Sequence, residues 1–212
     1  MRGRRPCIGE KGVVVIDGRH PLLLASASPR RRELLERAGI PVRVVVPTID
    51  EDVRANEPPE RYLERVVDDK LEAGWAGIAG SPVVLVADTI VVCADRILGK
   101  PRDDADAHAM IAELSGRDHR VMTRYAWRAI TGQSDAETIE TRVWFRALDE
   151  LLIARYVASG EGRDKAGAYA IQGIGGQLVA RIDGSYSNVV GLPVDEVISS
   201  LQRAQLLACP IV

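Results

Sequence analysis

Ser26, Ser28, Arg30 and Arg31 fall where a short apolar run, Leu22-Leu23-Leu24, gives way to a helical pattern. Ser28 is a good N-cap, Pro29 suits the first helical position, and Leu34, Leu35 and Ala38 recur at helical spacing before Gly39. Unpaired N–H groups and the positive end of the helix dipole would then meet two hydroxyls and a run of arginines, a combination that attracts an oxyanion. The same letters also suit an ordinary capped helix with solvated arginines. Asp88 interrupts Pro82–Cys93, the most apolar stretch of the chain, whose β-branched run predicts a central strand covered on both faces. An ionised carboxylate there is costly unless it is paired, bound to metal or placed at a strand end facing a cleft, so Asp88 points to function. Lys70 lies on or beside the apolar stripe Tyr62, Leu63, Val66, Val67 and Leu71 of a predicted helix. Two readings fit it: snorkelling along the stripe, or a cation held toward an anionic ligand. Lys100 projects from a loop fixed by Gly99 and Pro101, and Asp164 and Lys165 open a glycine-punctuated loop and strand, Asp164–Gly173, that lets backbone approach a ligand closely.

These residues must be positioned by a chain of 212 residues with 28 Lys+Arg against 30 Asp+Glu and a formal net charge of -2. With no global basic field, nucleic acid is not expected as the main partner, and any cationic site is local. No apolar run approaches the roughly 20 residues that span a bilayer. Val13–Ile16 is too short for the apolar core of a signal peptide behind the basic start Met1–Arg5. A soluble cytoplasmic protein without a membrane partner is the expectation. Cys7, Cys93 and Cys209 form no close pair and have no histidine at metal spacing, which reads as free thiols in a reducing compartment rather than a zinc site.

The order of elements predicts an α/β fold with a mixed twisted sheet flanked by helices. Residues 1–21 read as an N-terminal extension, frayed or adding an edge strand at Val13–Ile16, residues 22–206 as one domain, and 207–212 as a tail. After the first strand and helix come a strand at Val42–Val46, an acidic turn Asp50-Glu51-Asp52 and a loop Asn56–Pro59 before the Lys70 helix. A hairpin follows at Ala94-Asp95-Arg96, then a helix capped by Asp103 or Asp104 and closed by Gly116. Two long strands, about His119–Ile130 and Thr138–Leu148, join through Thr131–Ser134. A helix starts at Asp149 and ends near Ser159-Gly160. The glycines of Gly173-Ile174-Gly175-Gly176 lack the strand, spacing and helix of a dinucleotide fingerprint. Gln177–Ile182 reads as a strand and Val194–Leu206 as the last helix.

Several short motifs appear in a telling order: Leu24-Ala25-Ser26-Ala27-Ser28-Pro29-Arg30-Arg31, Ala87-Asp88-Thr89, Lys100-Pro101, Leu114-Ser115-Gly116, Asp164-Lys165-Ala166-Gly167-Ala168-Tyr169 with Ile171-Gln172-Gly173, and Val189-Val190-Gly191-Leu192-Pro193. Together, over about residues 22–202, they resemble the Maf family of nucleotide pyrophosphatases. The resemblance implies an ITPase-like fold with a cleft between two lobes and, usually, a homodimer. It also implies cleavage of nucleoside triphosphates to the monophosphate and pyrophosphate with a divalent metal, Mg²⁺ or Mn²⁺. Ala87-Asp88-Thr89 and Ile171-Gln172-Gly173 resemble the branch that acts on dTTP and UTP; Ser-Asp-Gln is typical of the 7-methyl-GTP branch.

By the same likeness Arg30, Thr89 and Gln172 match positions that govern substrate choice, Asp88 matches the proton acceptor, and Glu51, Lys70 and Lys100 match polar positions around phosphates and metal. The implied chemistry is attack of water at the α-phosphorus. Ser26, Ser28, Arg30, Arg31, Lys70 and Lys100 would hold phosphate oxygens, Glu51 with Asp88 would hold the metal, and Asp88 would orient or deprotonate the water. Sanitising modified pyrimidine nucleotides is one use of such chemistry. Ala170 stands where the family often has glycine, and the leader lies outside the family core. Two rival classes are a catalytically weak, nucleotide-sensing regulator of cell division and a nucleic-acid binder docking through the arginine helix, although no interleaving of basic and aromatic residues accompanies that helix.

Overall fold

The structure, a computed structural model, describes residues 15–207. The apolar run around Asp88 forms its central strand, Val83–Cys93, buried at every position but one. In chain order the strands are β1 (Leu22–Ala25), β2 (Val42–Val45), β3 (Val83–Cys93), β4 (Arg96–Leu98), β5 (Asp118–Ala129), β6 (Ser134–Phe145) and β7 (Val179–Asp183). The helices are α1 (Pro29–Arg37), α2 (Pro59–Trp75), α3 (Asp104–Leu114), α4 (Glu150–Ala158), α5 (Tyr186–Val190) and α6 (Val194–Arg203). One mixed sheet runs β2-β1-β3-β5-β6-β7 with β4 beside β3; β1 is parallel to β2 and β3, and the other pairs are antiparallel.

The alternation of side chains along β3 decides which helix covers which face. Val84 and Val86 pack with Val67 and Leu71 of α2, and Ile90 and Val92 with Tyr62, Leu63 and Val66 farther along the same helix. On the opposite face Val83, Leu85 and Ala87 meet Leu35 of α1 and Val197 and Leu201 of α6. Val91 and Cys93 meet Ile111 and Leu114 of α3 and Ile153 and Tyr156 of α4. That second face therefore carries two cores, one on each side of Thr89, and these are the two lobes.

The strand ladder has a gap at the same place. Along one edge β3 pairs with β5 at every residue from Val83 to Val92. Along the other it pairs with β1 only at Val84 and Leu85, and with β4 only from Val91 onward. Residues 86–90 face no strand on that edge, so the sheet is notched at Asp88, beyond the C-terminal end of parallel strand β1. Ligands of open α/β sheets bind in crevices of this kind.

The caps follow the sequence: Ser28 accepts from the Arg31 N–H, Asp103 from Asp106 and Asp149 from Leu152. Three expectations are corrected. The predicted strand within Asp164–Gly173 is absent, because the amides there donate to turns and to a helix side chain rather than to a neighbouring strand: Gly167 to the Gly99 carbonyl, Ala168 to the Lys165 carbonyl and Ala170 to the Tyr156 hydroxyl. The strand placed at Thr138–Leu148 spans Ser134–Phe145 instead; the hairpin turn closes early, with the Ala129 N–H donating to the Gln133 carbonyl at 2.8 Å. The last helix stops at Arg203 rather than Leu206. Ile16 is buried and donates its N–H to the Leu206 carbonyl at 2.8 Å; the rest of the expected leader through Val14, with Cys7, and the tail from residue 208, with Cys209, lie outside the described residues. No described helix is long and apolar enough to cross a membrane.

His119 sits at the lobe packed by α3 and α4. Its Nε2 shares a 2.8 Å hydrogen bond with the Tyr169 hydroxyl, its ring meets Phe145 and Tyr169 edge-on, and its Nδ1 has no partner. Burial pushes the imidazole from its usual 6.5 down to about 4. The unfolded chain thus binds a proton that the folded one refuses. The stability that neutral His119 contributes is complete above pH 6.5 and is lost as pH falls toward 4, at most about 3 kcal/mol. Urea unfolding at pH 7 and 4.5 should show a fall in the wild type that exceeds the fall in H119Q by about 2 kcal/mol; equal falls would assign the acid sensitivity to other groups.

Candidate active site

Every residue singled out from the sequence lines one cleft of about 560 Å³, set in the notch of the sheet. Its floor is β3, from which the neighbours Asp88 and Thr89 point to opposite faces. Asp88 turns toward α2. There the Lys70 ammonium donates to Asp88 Oδ1 at 2.6 Å and meets Glu51 Oε1 at 2.9 Å. Lys70 is only 5 % exposed, so its head does not snorkel to water; it is consumed by two carboxylates. The helical stripe that brought Lys70 into the core also put its ammonium beneath the one acid in the strand.

Glu51 comes from a stretch between β2 and α2 without regular structure, which α2 holds in place. The Tyr62 hydroxyl donates to the Glu51 carbonyl at 3.0 Å, while Arg65 forks onto Glu57 at 2.7 and 2.8 Å and reaches the Asp52 carbonyl at 2.9 Å. Partial burial would raise the Glu51 pKa, but the hydrogen bond and charge of Lys70, aided by Lys100 and Arg31, outweigh it and hold the carboxyl below its usual range. Tyr62 and Arg65 were not recognised as site residues in the sequence. Their only signal was their place on the helix that carries Lys70, one turn apart.

On the opposite face Arg31 is buried and ties three elements together. Its Nε donates to the Gly191 carbonyl at 2.7 Å, Nη1 to Ser26 Oγ at 3.1 Å and Nη2 to Thr89 Oγ1 at 3.0 Å. Burial lowers its pKa and the Asp88 charge opposes that, yet a guanidinium keeps its proton in any case. Two of its five N–H groups remain for a ligand. The Thr89 hydroxyl is shared with Thr123 at 2.9 Å and lies 3.2 Å from the Gly191 carbonyl. Gly191 has φ 132°, a left-handed conformation that glycine tolerates and that aims its carbonyl into this cluster. Gly191 was visible in the sequence only inside a motif; Asn188, which donates to the Val121 carbonyl and Thr141 Oγ1, is buried outside the cleft lining.

The start of α1 is capped by Ser28 as expected. Ser26 Oγ accepts from the Ser28 N–H and from Arg31, and Ser28 Oγ accepts from the Arg31 N–H, which leaves both hydroxyl protons for an incoming oxygen. Arg30 reaches across the mouth to Asp164 at 3.5 Å, and Asp164 pairs with Lys165 at 2.5 Å. The Lys165 hydrogen bond, helped by Arg30, keeps the Asp164 carboxyl below its ordinary value against a smaller effect of burial. Arg32 and Arg37 face Glu36 and Glu33 one turn away, so their charge is matched within α1. Lys100 lines the far wall, and Gln172 is exposed at the rim. Among the described residues no three His, Cys, Asp or Glu side chains cluster closely enough to hold a metal ion; Glu51 and Asp88 are a set of two.

Such a cleft can bind a polyanion along Ser26, Ser28, Arg30 and Lys100 while presenting a carboxylate to one of its phosphorus atoms. Removing the ammonium from beneath that carboxylate should be costly, because it leaves a nearly buried charge without its partner. K70M is expected to lose about 3 kcal/mol in urea unfolding, and K70M/D88N to regain part of it; additive losses in the double variant would separate the two residues energetically.

The profile of the family described as Maf-like protein matches residues 21–204. A dTTP/UTP pyrophosphatase of Vibrio cholerae is 50% identical over 175 residues, covering 82% of this chain and 93% of the relative. Those of Syntrophomonas wolfei and Alcanivorax borkumensis are 46% and 45% identical, covering 85% and 87% of this chain and 95% and 96% of the relatives. Among solved structures, a nucleoside-triphosphatase / dITP/XTP pyrophosphatase from Mycobacterium abscessus covers 87% of this chain and 96% of its own at 14% identity and a TM-score of 0.44. On the matched profile and these sequence relatives, the chain belongs to the Maf-like protein family.

Proposed function

We propose that this protein hydrolyses dTTP and UTP to the nucleoside monophosphate and pyrophosphate. The observation that carries the reading is the position of Asp88: a carboxylate held at 2.6 Å by Lys70 in the notch of the sheet, lining the same cleft as the hydroxyls and guanidiniums of the α1 start. Relatives named dTTP/UTP pyrophosphatase at 45–50% identity support the substrate pair.

In the proposed reaction the triphosphate lies along Ser26, Ser28, Arg30 and Lys100, with the free N–H groups of Arg31 and α1 beneath it. Water attacks the α-phosphorus, the bond from that phosphorus to the bridging oxygen breaks, the electron pair leaves with pyrophosphate, and the proton the water loses passes to solvent. Asp88 accepts a hydrogen bond from the water and aims it. A carboxylate already bonded to an ammonium is a weak base, so positioning is the larger part of its role. Gln172 and Thr89, at the rim and floor of the same cleft, are the proposed determinants of base choice, together with Arg30.

A divalent cation, Mg²⁺ or Mn²⁺, belongs to the proposal. The donor set fits it: Glu51 and Asp88, brought to the same side of the cleft by the Lys70 ammonium they share, would hold it through their remaining oxygens, and Mg²⁺ commonly takes only one or two carboxylates with substrate phosphates. When bound, such a cation neutralises charge on the leaving pyrophosphate. A homodimer is also part of the proposal, on the strength of the family likeness, as is the cytoplasmic location expected from the free-thiol reading; light scattering should give twice 23.1 kDa.

Purified protein given Mg²⁺ or Mn²⁺ and a panel of triphosphates should release pyrophosphate, fastest from dTTP and UTP. Orthophosphate would mean attack at the γ-phosphorus and a different enzyme, and nucleotide binding without turnover would favour the regulator. D88N, in which Lys70 keeps Glu51 as a partner, should lose about 10²–10⁴-fold in kcat while still binding nucleotide. Near-normal turnover in D88N would remove Asp88 from the mechanism.

A further inference from the structure

The run Gly173-Ile174-Gly175-Gly176 has a use other than dinucleotide binding. Its amides turn onto a carboxylate of the same chain: the Ile174 N–H donates to Glu161 Oε1 and the Gly175 N–H to Glu161 Oε2, both at 2.8 Å. The Tyr156 hydroxyl donates to the same Oε2 at 3.1 Å and accepts the Ala170 N–H at 3.1 Å. The backbone is thereby fastened on both sides of Ile171, Gln172 and Gly173. The approach is too close for side chains. A Cβ on Gly173 would lie 1.8 Å from Glu161 Oε1, and one on Gly175 would lie 2.5 Å from the Ala170 carbonyl and 2.8 Å from the Tyr156 hydroxyl. Tyr156 is buried on α4 and Glu161 follows shortly after that helix, so both anchors belong to a packed lobe. Ala170, Ile171 and Gln172 line the cleft, whereas neither anchor does.

We infer that Glu161 and Tyr156 are positioning residues for substrate choice: their clamp fixes the arch over residues 170–173 so that the Gln172 carboxamide meets the nucleobase at one place. The inference rests on the reading of Gln172 as the residue that addresses the base. The arch has no strand partner to hold it. A carboxamide discriminates between bases only when its donor and acceptor are aimed, since hydrogen bonds weaken steeply off their preferred angles. Charge-assisted bonds from two amides supply that aim, and a glutamine at 161 would turn one acceptor into a second donor facing an N–H.

The test compares wild type, E161Q and Y156F on UTP and CTP, with inorganic tripolyphosphate as a competitive inhibitor that has phosphates and no base. E161Q should shrink the ratio of kcat/KM for UTP to that for CTP about tenfold, chiefly through KM for UTP. Its inhibition by tripolyphosphate should change less than about twofold, because the phosphate side of the cleft is not held by this clamp. Y156F, which keeps the ring in its packed place, should move the ratio in the same direction and carries the test if E161Q misfolds. An unchanged ratio in both variants overturns the inference, as does an equal loss in UTP turnover and tripolyphosphate binding, the mark of general structural damage. A wild type that treats UTP and CTP alike would instead overturn the reading of Gln172 itself.

Discussion

An aspartate in the middle of an apolar eleven-residue strand needs a cation, and Lys70 supplies it. The rest of the site follows from that contact. Because the ammonium comes from a helix that crosses one face of the sheet, Asp88 must point to that face and Thr89 to the other. Because the ammonium has a second carboxylate on it, the stretch carrying Glu51 is drawn over the same spot and strapped there by Tyr62 and Arg65. Burial alone would make each of these groups expensive; the ammonium offsets the two carboxylates only in part and leaves an acidic floor that is ordered before any ligand arrives.

The second face is organised by Arg31 in the same manner. One guanidinium joins the start of α1, the middle of β3 and the bend at Gly191, three places far apart in the chain. The helix start proposed to receive phosphate is therefore registered against the strand that carries the proposed water-positioning acid. Arg31 was expected from the sequence as one more cationic contact to phosphate, alongside Arg30. In the fold its neighbour reaches the mouth of the cleft and Arg31 itself is largely occupied by protein.

Much of this was legible in the letters because local signals agreed with one another. The cap at Ser28, the helix start at Asp149, a cap at Asp103 or Asp104 and the buried strand through Asp88 were readable because each depends on residues within a turn or two. Lys70 stood out as misplaced on its stripe, but its carboxylate partners, Asp88 and Glu51, were not among the readings of it. The corrected parts depend on partners distant in sequence. Asp164–Gly173 reads as a glycine-punctuated loop and strand, but its amides find Gly99 and Tyr156, which the local sequence cannot foresee. Arg65 and Tyr62 grip carbonyls, which every residue has, so no letter marks their target. Glu51 was found only through the family likeness, because an acidic turn by itself carries no address.

The unbroken register between β3 and β5 has a mechanical meaning. Ten successive pairs run from Val83 to Val92, past the notch and through both lobes. Swinging one lobe against the other would shear or bend that ladder, so a clamshell closure is a poor means of enclosing a ligand. Adjustment is left to segments outside the ladder, such as the turns around residue 165, whose displacement would leave the plank beneath them undisturbed.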